Sequence, residues 1–406
     1  MVDAAQSIDG RRAMAGTPAS RAQSDGSASV SISGASSDSL DAYAELCGIC
    51  VFAPAQSAAW IARWVGDMEP DAVVATLKSD GRPVFALALE VTRFGPFRVA
   101  RFMGGSHANG NFAAADPSWL ALATETDMRE IIGAISRARP DIDIIALERL
   151  LPDFEGLPNP LLTLPHAASP NVALAADLDG GFDALLSRAG GKRKTKKHRA
   201  QMRKFEAAGG FRRIEAKTPE ESARLLDAFF VMKEFRFKKM GIANVFGDAA
   251  IRAFLHRLFA GALAKTPPPF VLHGLEVDGR LRAVTGSSRR GSRLICEFGA
   301  IVEDELSHMS PGEFLFYDNI GEACAQGVKF YDFGVGDEPY KRTWCDIETQ
   351  HADVLTPLSL KGRALAVAMR LRARLKSFVK NSPLIWKMTK ALRRRATGQP
   401  ESSAED

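Results

Sequence analysis

Residues 310–344 read SPGEFLFYDNIGEACAQGVKFYDFGVGDEPYKRTW. The opening Ser310-Pro311-Gly312-Glu313 has the form of a helix start: Ser at the N-cap, Pro in the first turn, Glu three residues on. That order predicts a capping box. Phe316, Ile320, Ala323 and Cys324 then recur at helical spacing and give the helix an apolar face. After Gly327, the run Val328–Phe333 reads as a buried strand, and it leads through Gly334-x-Gly336 into Asp337, Glu338, Tyr340, Lys341 and Trp344. Gly312 leaves the first-turn N–H groups open to close approach, which suits a pyrophosphate. Carboxylates, a phenol and an ammonium at a strand exit suit proton transfer. The Gly-x-Gly is not a dinucleotide fingerprint, because no third glycine follows and Pro339 interrupts any immediate helix. An ordinary well-capped helix followed by a packed turn is the plain alternative, and from these residues alone both stand.

Reading outward, the second half gives a basic helical stretch from Phe182 to Ala208 and a helix from Thr218 to Met240. A third helix covers Ala249–Ala264, and strands follow at Phe270–Val277, Leu281–Ser288 and Arg293–Ile301. The first half follows a similar order. A helical region at Leu40–Val65 precedes strands at Ala72–Lys78, Val84–Thr92 and Phe97–Met103, a helix at Asp127–Arg137 and a strand at Ile142–Leu147. The segments VVATLKSDGRPVFALAL and HGLEVDGRLRAVTGS each place Asp-Gly between apolar runs, a strong hairpin signal. The expectation is an α/β protein of two domains of similar plan, each a mixed sheet flanked by helices. The boundaries expected are 41–165 and 170–357, with the Pro-rich span 152–170 as linker. Residues 1–40, rich in Ser, Ala and Gly, and residues 396–406 read as disordered tails.

The five cysteines are too few and too scattered for a disulfide framework in a chain of 406 residues. Cys47-Gly-Ile-Cys50 has redox spacing, but no second pair completes a zinc site, so two partly buried thiols and no metal are expected. No apolar run reaches the roughly 20 residues needed to cross a bilayer, and no secretory leader is visible, so a cytoplasmic location is expected. The net charge of +5 conceals two basic segments without a single carboxylate: 9 Lys and Arg in residues 188–204 and 12 in residues 361–395. Removing those 21 positive charges leaves the rest of the chain at −16, so each segment is a candidate for an anionic partner. The first has no interleaved aromatics, and DNA is not expected. In the second, Leu365, Ala368, Leu371, Leu375 and Phe378 fall on one helical face among arginines, which suits either an anionic membrane surface or packing on the body.

The stretch 310–344 resembles the C-terminal signature of the GNAT-related acetyltransferase-like domain of CelD-type cellulose-biosynthesis proteins, a relative of the Fem aminoacyltransferases. The matching positions are Ser310, Pro311 and Gly312, then Gly336, Asp337, Tyr340, Lys341 and Trp344. The resemblance spans about residues 42–355 and implies two tandem GNAT-like domains, the first degenerate. It implies transfer of an acyl group from a thioester, usually acyl-CoA, to an amine or hydroxyl. Backbone N–H groups around Glu297–Ala300 would hold the carbonyl oxygen, with Phe298, Gly299, Ala300, Ser310, Gly312 and Glu313 contacting the donor. Glu297 and Asp332 are candidate bases, Tyr340 and Lys341 candidate catalytic groups, and Asp337, Glu338 and Trp344 candidate acceptor contacts. The span Ser307–Gly312 keeps only the last glycine of the usual pyrophosphate loop, so acyl carrier protein and aminoacyl-tRNA stay open as donors beside acyl-CoA. The expected acceptor is a sugar or glycan precursor of an envelope polysaccharide. The rival readings are a Fem-like aminoacyl-tRNA-dependent transferase and a non-catalytic accessory protein of a polysaccharide synthase.

Overall fold

The computed structural model describes residues 28–381. The strands are β1 (Ser29–Ser33), β2 (Ala72–Ser79), β3 (Arg82–Phe94), β4 (Phe97–Phe102), β5 (Ala114–Ala115), β6 (Ile144–Leu150), β7 (Asp153–Phe154) and β8 (Leu157–Pro158). They continue as β9 (His166–Asp177), β10 (Phe211–Glu215), β11 (Phe270–Val277), β12 (Arg280–Arg290), β13 (Arg293–Ile301), β14 (Phe330–Val335) and β15 (Ile347–Pro357). Apart from the small β7–β8 hairpin, they form one mixed sheet of 13 strands in the order β1-β2-β3-β4-β6-β15-β9-β14-β13-β12-β11-β10, with β5 against β3.

Each half lays down the same pattern. β1 to β4 form an antiparallel meander and β6 adds parallel to β4; β10 to β13 form a second meander and β14 adds parallel to β13. Both Asp-Gly turns adopt the left-handed conformation that a two-residue hairpin requires: φ is 51° at Asp80 and 74° at Gly81, 52° at Asp278 and 70° at Gly279. The next strands are exchanged. β9, which continues the first half, pairs with β14, while β15, which continues the second half, pairs with β6; β9 and β15 then pair with each other.

Helices cover both faces. Tyr43, Trp60 and Trp64 from helices Ser37–Cys47 and Ala58–Met68 share one core with Phe229, Phe254 and Phe259 from helices Pro219–Met240 and Ala249–Ala262. Across the sheet, helix Glu125–Ala138 buries Met128, Ile131 and Ile135 against β2 and β3. In the second half, helix Pro311–Ala325 packs with helix Gly181–Arg188 over Tyr331 and Phe333 of β14.

Several expectations are corrected. The tail read as disordered to residue 40 is ordered from Ser29, where β1 pairs with β2 and helix Ser37–Cys47 follows; residues 1–27 and 396–406 lie outside the described residues. The span 152–170 is not a free linker, since β9 begins within it at His166 and runs through the middle of the sheet. The basic stretch is two helices, Gly181–Arg188 and Gly191–Ala207, broken at Gly190, whose φ is 70°. Helix Leu360–Asn381 does not use the single apolar face expected. It buries Leu365 and Ala366 against Val99, Ile144 and Ala146 and leaves Leu371 and Leu375 about 60% exposed; the Phe378 side chain and residues 382–395 lie outside the described set. Among the described residues no helix is long and apolar enough to cross a membrane.

Candidate active site

β13 carries a bulge: Gly286 of β12 faces Phe298 while Ser287 faces Cys296, so Glu297 is the extra residue. On its other side, β13 is laddered to β14 only from Arg293 to Ile295, opposite Phe330 to Asp332. Beyond that point the two parallel strands splay, and Glu297 lies at the opening. The bulge needs a glycine opposite it, because a Cβ at Gly286 would stand 2.2 Å from the Phe298 ring.

The Glu297 carboxylate is held from both halves of the chain. Ser288 Oγ donates to Oε1 at 2.5 Å, and Asn109 Nδ2 donates to Oε2 at 2.8 Å and to the Glu297 carbonyl at 2.9 Å. The residue keeps some accessible surface, yet desolvation raises its carboxyl to about 7, against the lowering effect of those two donors and with Asp332's charge adding to the rise. Asp332 is buried and also raised, by desolvation first; its Oδ1 accepts from Gly334 N at 2.7 Å and its Oδ2 lies 3.7 Å from Arg293. Asn109, Glu297, Asp332, Gly334 and His351 line one small cavity of about 20 Å³, room for about one water. Neither ring nitrogen of His351 has a hydrogen-bond partner there. His351 also borders a cleft of about 310 Å³ with Arg149, Val335 and Arg372. A neighbouring cleft of about 730 Å³ takes in Asp337, Arg342 and Glu348 on one side and Arg370 and Arg374 on the other.

The helix start differs from the expected capping box. Ser310 is left-handed at φ 55° and its side chain makes no cap, while Glu313 pairs with Lys197. The left-handed entry reverses the chain out of the Ser307–Met309 turn, which takes the hydroxyl away from the first-turn N–H groups. Gly312 sits against β13: a Cβ there would stand 2.8 Å from Ile301 Cγ2. Gln201 from helix Gly191–Ala207 donates to the carbonyls of Met309 at 2.7 Å and Ser310 at 3.2 Å, steadying the turn before the helix.

The remaining sequence candidates separate into two groups. Phe298 joins Phe229, Phe246 and Phe259 in an aromatic cluster, with Gly299 and Ala300 next along β13 opposite Thr285 and Val284. Tyr340 stacks on Phe316 at 5.6 Å, and desolvation raises its phenol well above the ordinary range. Lys341 is buried, donating to the Val335 carbonyl at 3.0 Å and pairing with Glu338 at 2.9 Å. Asp337 pairs with Arg342 at 2.5 Å on the surface. Trp344 is buried, with Lys194 Nζ 4.2 Å over its ring.

Sequence reading missed Asn109, His351 and Lys233. Lys233 lies over Phe229 and Phe237, and desolvation, aided by Arg236, lowers its ammonium to about 8. The only signal for Asn109 is its place in Ala108-Asn109-Gly110-Asn111-Phe112, a loop that periodicity does not reach. Among the described residues one group has ligand atoms close enough for a metal, Glu215, His273 and Glu322, and Glu322 there already accepts from Arg213. Cys47 and Cys50 are buried free thiols, pushed up by desolvation to about 11 and about 12.

Residues 192–342 match the family model described as an acetyltransferase (GNAT) domain. The match begins in the basic helix, contains the bulged strand and the Pro311 helix, and ends in the Tyr340-Lys341 turn. The fold as a whole is similar to that of a crystal structure of FemX, with a TM-score of 0.54 at 11% identity over 81% of this chain and 96% of that one. It is also similar to a conserved protein of unknown function from Bacteroides thetaiotaomicron VPI-5482, with a TM-score of 0.51 at 11% identity over 81% of this chain and all of that one. No curated protein matches the chain.

Proposed function

We propose that the chain is an N-acyltransferase that moves an acyl group from a thioester to an amine, with the chemistry in residues 170–357 and residues 41–165 as a degenerate partner domain. The observation that carries this reading is the splayed, bulged β13, which sets the raised carboxyl of Glu297 beside an open strand edge inside a GNAT-matching segment. Glu297 removes a proton from the acceptor ammonium. The amine nitrogen then bonds to the thioester carbonyl carbon, and backbone N–H groups at Phe298–Ala300 receive the oxyanion. As the carbon–sulfur bond breaks, the leaving thiolate takes a proton from Tyr340, and the second proton of the attacking nitrogen passes to the Tyr340 phenolate, whose raised pKa makes it a strong acceptor, as the neutral amide forms.

Acyl-CoA is the first donor to consider, its pyrophosphate at the first turn beginning Pro311-Gly312. The acceptor reading is an amino group on a sugar or envelope-glycan precursor, reaching Glu297 through the cleft past His351. Exposed Leu371 and Leu375 beside Arg370, Arg372 and Arg374 support a further contact with an anionic membrane surface. Calorimetry with a panel of acyl-CoA thioesters, on wild type and Gly312→Val, tests the donor half. Binding that the substitution weakens tenfold or more is expected. Absence of binding to every CoA thioester contradicts CoA as donor and turns the question to a carrier protein or aminoacyl-tRNA.

A further inference from the structure

Helix Gly191–Ala207 has two unlike faces. Inward, Lys197, His198 and Gln201 reach Glu313, Asp318 and the carbonyls before Pro311, and His198 stacks between Phe314 and Tyr317. Outward, Lys192, Lys196, Arg199 and Arg203 recur at i, i+4, i+7 and i+11. At 100° per residue they fall within about 60° of one another, a single stripe along the helix. All four are exposed, and with Arg193 they line an open cleft of about 1150 Å³ against helix Gly181–Arg188. None of these five cations pairs with a carboxylate among the described residues, and Asp183 is the single acidic residue along the cleft. Like charges at i, i+4 destabilise a helix, so the stripe opposes the element that carries it. The cleft is not purely polar: Leu186 lines it.

This face looks away from the Pro311 helix start, so a pyrophosphate bound at that start does not engage it. A cationic stripe facing a cleft wall that includes Leu186 fits an acidic amphipathic helix on a protein better than a phosphate backbone, which offers no apolar complement and would favour stacking aromatics. We propose that this cleft docks an acidic carrier protein, whose thioester-charged phosphopantetheine arm then reaches past the helix to the Pro311–Glu297 region. The proposal rests on the thioester reading and names the carrier of the donor.

The test uses the full-length protein, wild type and K196E/R199E/R203E, and an acidic acyl carrier protein in its apo and acetyl-phosphopantetheinyl forms. Binding is followed by fluorescence anisotropy at 50 and 200 mM salt, thiol release is followed separately with acetyl-CoA and an amine panel, and circular dichroism checks the fold. Expected are binding of both carrier forms by wild type, weakening as salt rises; at least a tenfold loss in the triple variant; and unchanged release from acetyl-CoA. Carrier binding that survives the triple reversal, or wild type that turns over acetyl-CoA yet binds neither carrier form, overturns the docking proposal and leaves the transferase reading intact. Carrier binding lost in the triple variant without release from any thioester upholds the docking surface and counts against the transferase reading. A labelled tRNA bound by wild type and released by the triple variant, with no carrier binding, overturns the proposal in favour of RNA.

Discussion

Asn109 Nδ2 lies 2.8 Å from Glu297 Oε2, joining residues 188 positions apart. One half of the molecule thereby holds the carboxylate that the other half presents. The first half of the chain, poor in candidate chemistry by sequence, reaches the site through this amide, and Gly334 permits its approach: a Cβ there would stand 2.8 Å from Asn109 Cγ. Asn109→Ala removes a donor that lowers the Glu297 carboxyl. The rising limb of the pH–rate profile should move to higher pH, and the protein should lose about 1–2 kcal/mol of stability. Urea titration and pH–rate measurements on the variant check both.

Gly312→Ala adds a methyl against Ile301 and pushes the helix start off β13. The expected outcome is a rise in KM for the thioester of about tenfold with a smaller change in kcat, because the variant disturbs donor seating rather than the base. Steady-state kinetics with the donor varied separates the two.

Burial holds His107 and His351 at about 4, well below the ordinary imidazole range, with nearby arginines adding to the fall. Between about 6.5 and 4 the unfolded chain binds more protons at these sites, so stability is full above that window and is lost as pH falls through it. Glu297, raised to about 7, works in the opposite sense between about 4.5 and 7. The lowered histidines His107, His351 and His273 oppose the raised carboxyls Glu297 and Asp332, and the urea midpoint should drop between pH 7 and pH 4.5. In His351→Leu the drop should be shallower; an unchanged slope would refute the assignment.

The exchange of β9 and β15 ties the two halves into one sheet. Unfolding should therefore be a single cooperative transition, with tryptophan fluorescence and far-ultraviolet circular dichroism coincident. Truncation after Asp346, which removes β15, should unstitch the first half as well as the second. Amide exchange in β6 is the readout: protection that survives the truncation would contradict the coupling.

The meanders, the Asp-Gly hairpins and the Pro311 helix were legible because their signals are local: turn chemistry, apolar period and a Pro-Gly start. β15 was not, since Ile347–Pro357 reads IETQHADVLTP and its apolar residues do not alternate cleanly. Its place as a strand comes from pairing with β6 and β9, which no local pattern encodes. β1 was hidden in a Ser-rich stretch for the same reason, as an edge strand whose burial alternates weakly. Of the site, Glu297 was legible from the family resemblance and its position on β13, whereas Asn109 and His351 reach it only through the inter-half sheet. Ser310 shows the opposite failure: a strong local cap signal gave way to a left-handed turn that Gln201 braces from another helix.

The most direct test of the central claim is thiol release from acetyl-CoA in the presence of an amine panel, measured from pH 5.5 to 9 on wild type and Glu297→Gln. Wild type should release thiol in an acceptor-dependent way, with kcat/KM rising through about 7 as Glu297 loses its proton. The variant should lose about 100-fold or more and that rising limb with it. Acceptor-dependent release that is equally fast in Glu297→Gln, with the same pH profile, would contradict the account.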